Sequence, residues 1–260
     1  MAGDRSVWNY PSVLAHRGGG ILAPENTMAA LRCAVAHGFH AVEFDVMSVR
    51  GDGLVLMHDC VLGRTVAGEG RVADLTLDEL VAMDAGAWHS PAFRGEPVVG
   101  FADAAQFCLA HDLWMNAEIK PAPDMESRTG YLVGKACSRL PARSVLLSSF
   151  SIEALLAAQA VAPEVPRAWL VDLVPADWAP TLRRLGAIAL HVNAQGLTAS
   201  QAAAVKDAGY GLFCYTVNEP DQARALRAVG VDAICTDRLD LISAHFFDGA
   251  AWRSIDRIAS

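Results

Sequence analysis

Short β-branched or aliphatic runs alternate with Ala- and Leu-rich stretches along nearly all of the 260 residues. The runs fall at Val13 to His16, Ala41 to Val46, Trp114 to Ile119, Val145 to Ser148, Arg167 to Val171, Ile188 to Asn193, Gly211 to Thr216 and Ala233 to Thr236, eight candidate strands. Helices are expected around Met28, Leu31 and Val35, and over Phe101 to Ala110, Tyr131 to Leu140, Ile152 to Val161, Trp178 to Leu185, Ala199 to Ala208 and Gln222 to Val229. Strands joined through helices run parallel, and eight such units close on themselves, so the expected fold is α/β, a (β/α)8 TIM barrel. An open doubly wound sheet is the alternative. One barrel takes roughly 250 residues, so residues 1–260 read as a single domain. The turn-rich stretch from Asp59 to Glu96 breaks the rhythm and reads as a small insertion after the second strand, at about 59–96.

Hydrophobic residues make up 53% of the chain and charged residues 19%, enough apolar surface to exclude intrinsic disorder. A net charge of -8 offers nothing to a phosphate backbone or an anionic lipid surface, so nucleic acid is not an expected partner. An anionic substrate would need local cations or a metal to overcome that field. The six cysteines, Cys33, Cys60, Cys108, Cys137, Cys214 and Cys235, form no CxxC pair and read as small hydrophobes of a reducing compartment. Met1 to Pro11 has no apolar core of a signal peptide, and no run is long enough for stable membrane insertion. The expected location is cytoplasmic.

Three stretches carry chemistry. Ala15-His16-Arg17-Gly18-Gly19-Gly20 ends the first strand in a glycine-permissive loop that can bring Arg17 and backbone N–H groups against an anion, with Asn26 or Thr27 capping the helix that follows. On the second strand Glu43 and Asp45 share a face while Phe44 takes the other. Two carboxylates inside a parallel barrel are costly unless a hard cation binds them through oxygen. The third strand repeats the pattern with Asn116, Glu118 and Lys120, where a Glu118–Lys120 salt bridge is the alternative. His58 follows an apolar extended segment; with His16, a metal and an arginine it supplies acid, base and charge stabilisation for phosphoryl chemistry.

Taken in order, His16-Arg17-Gly18, Pro24-Glu25-Asn26-Thr27, Glu43-Phe44-Asp45-Val46, Asp52-Gly53, His58-Asp59, Glu118-Ile119-Lys120, Ser149-Phe150, Thr216-Val217-Asn218, Gly230-Val231-Asp232 and Thr236-Asp237 resemble the glycerophosphodiester phosphodiesterase family, in its bacterial cytoplasmic form. The resemblance spans most of the chain. It implies a TIM barrel with an insertion after the second strand, in which Glu43, Asp45 and Glu118 hold one divalent cation, Mg2+ or Ca2+, and His16 and His58 are the catalytic pair. It further implies that Arg17 and Lys120 bind phosphate, with Phe150 and Tyr215 as candidate substrate contacts at strand ends. The implied reaction is metal-dependent hydrolysis of a glycerophosphodiester to glycerol phosphate and an alcohol. His16 is assigned the base role and His58 protonation of the leaving alcohol, and either the glycerol 2-hydroxyl or water is the nucleophile. The expected partner is a small phosphodiester; the motifs leave subunit number open.

Three positions depart from the family pattern. Tyr215 stands where Trp is frequent, Val99-Gly100-Phe101-Ala102-Asp103 replaces Pro-Thr-Leu-Glu-Glu with Asp103 in a supporting role, and Ser48-Val49 replaces a threonine-containing approach to a turn. His37, His40, His111 and His245, the last in an expected terminal helix, read as capping or solvent-facing groups. His191 and Asn193 are weaker candidates for the barrel mouth, and Trp169 and Phe213 read as core. Other activities on the same fold are a lysophospholipase-D-like or sphingomyelinase-D-like phosphodiesterase, which needs an apolar rim and a membrane-docking patch. A non-catalytic binding barrel would have lost a ligand or a histidine, yet His16, Glu43, Asp45, His58 and Glu118 are all present. A Schiff-base aldolase using Lys120 is disfavoured because Glu118 keeps that amine protonated.

Overall fold

A computed structural model describes residues 8–141 and 143–247. Residues 1–7, part of the stretch read above for a signal peptide, lie outside the described residues. The strands are β1 (Val13–Ala15), β2 (Ala41–Ser48), β3 (Leu54–Leu56), β4 (Trp114–Ile119), β5 (Val145–Ser149), β6 (Arg167–Val171), β7 (Ala189–Asn193), β8 (Gly211–Tyr215) and β9 (Ala233–Thr236). All but β3 pair in parallel, and β1 pairs with both β2 and β9, which closes an eight-stranded barrel. The helices are α1 (Met28–Ala36), α2 (Leu77–Val81), α3 (Phe101–Ala110), α4 (Glu126–Cys137), α5 (Ile152–Val161), α6 (Trp178–Leu185), α7 (Ala199–Asp207) and α8 (Pro220–Ala228).

Strand alternation sorts the apolar residues into two populations. Val13, Ala15, Val42, Phe44, Ala117 and Leu147 pack outward with the helices. Leu14, Ala41, Trp114, Leu146, Ala168, Ala189 and Phe213 form a separate inner cluster with Trp8. Trp8 lies 6.1 Å from Trp114 and 6.0 Å from Phe213, ring centre to ring centre, so aromatic rings fill the barrel toward the N-terminal ends of its strands. The charged residues of the interior gather at the other end, where barrel enzymes keep their sites.

Two stretches differ from the sequence reading. Helix α4 starts five residues before the expected Tyr131, because Gly130 and Gly134 do not break it but form its contact with α5; a Cβ on Gly130 would come 2.1 Å from the carbonyl oxygen of Ala154. The insertion is more ordered than a run of turns. β3 turns back antiparallel on β2 at Met47↔Val55, and α2 is started by a capping box between Thr76 and Glu79. Val55, Met57, Val66, Val72, Leu80 and Val98 give the insertion its own apolar cluster against Met47 and Val49. His245 lies among turns and bends after β9 rather than in a helix. Among the described residues no helix is long and apolar enough to cross a membrane.

Candidate active site

Parallel pairing of β2 with β4 sets Glu43 beside Asn116 and Asp45 beside Glu118. Because side chains alternate, Glu43, Asp45 and Glu118 all point inward, and one carboxylate oxygen from each lies within 4.8 Å of the others. All three are buried. Burial, reinforced by repulsion from Asp45, pushes Glu43 up to about 7 and Glu118 up to about 8. Glu118 rises although Lys120 Nζ stands 2.8 Å from its Oε1, so desolvation outweighs that pair. Burial also acts upward on Asp45, but Lys120, Arg17 and His58 together hold it below its ordinary range. The Glu118–Lys120 bridge and the acid cluster are therefore both present: Lys120 reaches Asp45 as well, at 3.6 Å. Three converging oxygen donors that repel one another in a buried setting fit a hard divalent cation. Asn116 shares their face, and its buried Oδ1 has no hydrogen-bond partner.

Each histidine rests on a carboxylate. His16 Nδ1 is 2.6 Å from Asp237 Oδ1, and Asp237 is itself held by Asn218, whose Nδ2 donates to its other oxygen at 3.0 Å and whose Oδ1 accepts its backbone N–H at 2.8 Å. His58 Nδ1 is 2.7 Å from Asp59 Oδ1. With Nδ1–H donating to a carboxylate, Nε2 of each ring is left to carry a proton to or from substrate. His16 Nε2 is 3.8 Å from Glu43 Oε2, beside the acid cluster. Burial lowers the pKa of His16, but the Asp237 hydrogen bond and the charges of Glu43 and Asp237 outweigh it, so the net shift is upward. A hydrogen bond from Arg64 is the largest reason that Asp59 falls to about 2.

Arg17 has φ +48; its N–H donates to Glu43 Oε2 at 3.0 Å and its Nη1 to Glu25 at 2.7 Å. Its buried Nε has no hydrogen-bond partner. Two amides of the glycine loop are taken up within the protein, since Gly18 N–H donates to Glu43 O and Gly20 N–H to His16 O. The loop also makes a close approach, since a Cβ on Gly20 (φ +54) would meet the Asp237 carbonyl oxygen at 2.1 Å. Phe150 stands half in solvent with Lys120 Nζ 5.6 Å from its ring centre, and Tyr215 meets it edge-on at 5.9 Å. The Tyr215 hydroxyl donates to Val171 O at 2.9 Å, so the protein already satisfies it. Burial, helped by Asp172, pushes that phenol well above its ordinary range.

His191 does not reach the mouth. It is fully buried, stacked 4.3 Å from Phe213 and edge-on to Trp8 at 6.1 Å, and burial holds it down to about 3, a neutral core histidine. Asn193 accepts the Gln195 N–H at 3.0 Å. Asp103 is exposed in the first turn of α3. Thr27 caps α1, while Asn26 grips Asp45 through Nδ2 at 2.9 Å and through the Asp45 N–H at 3.1 Å. Residue-by-residue reading gave no role to Glu25, Asp59, Arg64, Asn218 or Asp237. Asp59 carried a signal, being an acid beside a candidate histidine. Asp237 lies 221 residues from His16, and only barrel closure brings the two together.

Residues 16–241 match the model of the Glycerophosphoryl diester phosphodiesterase family. A glycerophosphodiester phosphodiesterase of Caldanaerobacter subterraneus subsp. tengcongensis is 30% identical over 230 residues, 86% of this chain and 93% of the relative. Among solved structures, a phosphodiesterase from Oleispira antarctica in complex with the product sn-glycerol-3-phosphate superposes with a TM-score of 0.85 at 32% identity, covering 90% of this chain and 96% of that one. A glycerophosphodiester phosphodiesterase from Agrobacterium tumefaciens gives a TM-score of 0.73 at 25% identity, over 89% of this chain and 98% of the other.

Proposed function

The chain belongs to the glycerophosphoryl diester phosphodiesterase family, and from that premise we propose that it hydrolyses glycerophosphodiesters to glycerol phosphate and an alcohol at the C-terminal mouth of its barrel. The observation that carries this reading is the convergence of Glu43, Asp45 and Glu118 beside His16, which has its own carboxylate. Those three carboxylates would hold one divalent cation, Mg2+ or Ca2+, which when bound supplies Lewis acidity toward a phosphoryl oxygen. Arg17, whose Nε faces Asp45 Oδ2 at 3.6 Å without a hydrogen bond, and Lys120 bind the non-bridging oxygens and offset the -8 charge of the whole chain locally. Phe150 and Tyr215 offer an apolar wall to the glycerol carbons. His16 Nε2 takes the proton of the nucleophile, with Asp237 steadying the charge that results; His58 Nε2 returns a proton to the departing alcohol, with Asp59 in the same supporting position. We read the described residues as one catalytic domain. The six unpaired thiols fit a reducing compartment, and we place the protein in the cytoplasm.

Phosphorus NMR of the protein with glycerophosphocholine and glycerophosphoethanolamine, with divalent ion and then with chelator, tests the reading. Metal-dependent appearance of glycerol phosphate is the expected result, and survival of both diesters under metal-replete conditions would reject it. A transient cyclic phosphate signal identifies the glycerol 2-hydroxyl as nucleophile; its absence identifies water. A second substrate class, lysolipids, is favoured by one observation: Ile21, Phe150 and Leu173, in the loops that follow β1, β5 and β6, are exposed apolar residues. Release of lysophosphatidic acid from lysophosphatidylcholine in the same tube would support it.

A further inference from the structure

The insertion after β2 returns one cation to the site. Arg64 sits in a tight turn that opens at Gly63 (φ +127), where the Gly63 N–H donates to Val66 O at 2.8 Å. From that turn its guanidinium reaches two carboxylates on different elements. Nη1 and Nη2 donate to the two oxygens of Glu25, each at 2.8 Å, and Nε donates to Asp59 Oδ2 at 2.5 Å. Each of these carboxylates also holds a residue of the proposed chemistry: Glu25 Oε1 accepts from Arg17 Nη1 at 2.7 Å, and Asp59 Oδ1 accepts from His58 Nδ1 at 2.7 Å. The chain of contacts Arg17–Glu25–Arg64–Asp59–His58 is unbroken.

We propose that Arg64 is a positioning residue that sets the phosphate-binding Arg17 and the proton-carrying His58 relative to each other through one planar guanidinium. The inference rests on the roles given to Arg17 and His58 above. Arginine suits the task because its donors form a fixed fork: the terminal pair matches a carboxylate edge-on while Nε–H serves a second acceptor at the side. A lysine carries the same charge on a point donor and cannot fix two carboxylate planes at once. Stability is a poor reason for the arrangement, because Arg64 is nearly half exposed and ion pairs of exposed side chains contribute little. What the network does fix is orientation. Without Arg64, Asp59 is free to turn away from His58, and Glu25 is left to pair with Arg17 alone. The contacts also give the insertion a function: through Arg64 it braces Glu25 and Asp59.

The test compares wild type, Arg64→Ala and Arg64→Lys, each with Mg2+ present, by turnover and by 15N NMR of histidine-labelled protein. Loss of a residue that orients a catalytic group typically costs about 10- to 100-fold in activity. That fall in kcat is expected for Arg64→Ala, with Arg64→Lys within about threefold of it and methylguanidinium restoring part of the loss to the alanine variant only. In wild type the His58 Nδ1–H, held by Asp59, is expected to give a sharp nitrogen–proton correlation, broadened by exchange with water in both variants. Turnover within about twofold of wild type, or a fall in turnover with an unchanged His58 spectrum, overturns the proposal. An inactive wild type would count against the proposed hydrolysis instead, while the His58 spectra would still judge the positioning role.

Discussion

The two sides of the barrel mouth are built from different materials. The arc formed by β9, β1, β2 and β4 carries Asp237, His16, Glu43, Asp45, Glu118 and Lys120 in or just beyond its strands, each within reach of an opposite charge or a histidine. The arc from β5 to β8 presents Ser148, Leu170 and Tyr215, with His191 and Phe213 buried deeper and His191 kept neutral by burial. On the first arc, carboxylates that would be costly to bury singly lie beside His16, Arg17 and Lys120, and their clustered oxygens form a donor set that fits a cation. On the second, the interior is filled and its ionisable groups are neutralised. Groups able to transfer protons and stabilise charge thus line one wall, and neutral and apolar groups the other.

Substitutions should separate these walls. The largest expected effect is at His58, which stands over the charged arc: His58→Ala should lower kcat by about 10²- to 10⁴-fold while KM moves little, because a general acid acts in the transition state. Near-normal turnover in a steady-state assay would remove it from that role. Asp237→Asn keeps the shape but not the charge that orients His16, and a fall of about 10- to 100-fold in kcat is expected; an unchanged rate would make the 2.6 Å contact incidental.

A smaller effect is expected in stability. Glu43 and Glu118 are raised in the folded protein from 4.5 to about 7 and about 8. Between their ordinary range and those values the folded state holds more protons than the unfolded chain, so stability falls as pH rises. In chelator the melting temperature should therefore drop by several degrees between pH 5 and pH 8.5, and saturating Mg2+ or Ca2+ should flatten the slope. A melting temperature independent of pH without metal would contradict the burial of those charges. The smallest effect belongs to the other wall. Because the Tyr215 hydroxyl is bound to Val171 O rather than open to a ligand, Tyr215→Phe should leave kcat/KM within about threefold of wild type; a tenfold loss would place that hydroxyl on the substrate.

The charged arc was the more legible of the two in the sequence. Glu43 and Asp45 announce themselves by period-2 spacing within an otherwise apolar strand, and Glu118 and Lys120 repeat the signal one unit later. Strand limits are equally plain at Trp114–Ile119 and Arg167–Val171, which the structure keeps unchanged. Contacts made only by closure were hidden. Asp237 has no local pattern that ties it to His16, and Arg64 sits in a turn-rich segment without periodicity. Helix α4 begins ahead of the expected Tyr131 because packing of Gly130 and Gly134 against α5, which no local pattern displays, decides its course. His191 was given a chance at the mouth because position along a strand does not tell depth in the barrel.

The most direct measurement is calorimetric titration of Mg2+ and of Ca2+ into metal-free protein, wild type beside Asp45→Asn and Glu43→Gln. A cation site built from three clustered carboxylates predicts one ion per chain in wild type, binding weakened by about tenfold or more when either carboxylate is neutralised, and proton release into the buffer at pH 7 as the metal displaces protons from Glu43 and Glu118. Binding of equal strength in all three proteins would show that the acid cluster is not the metal site.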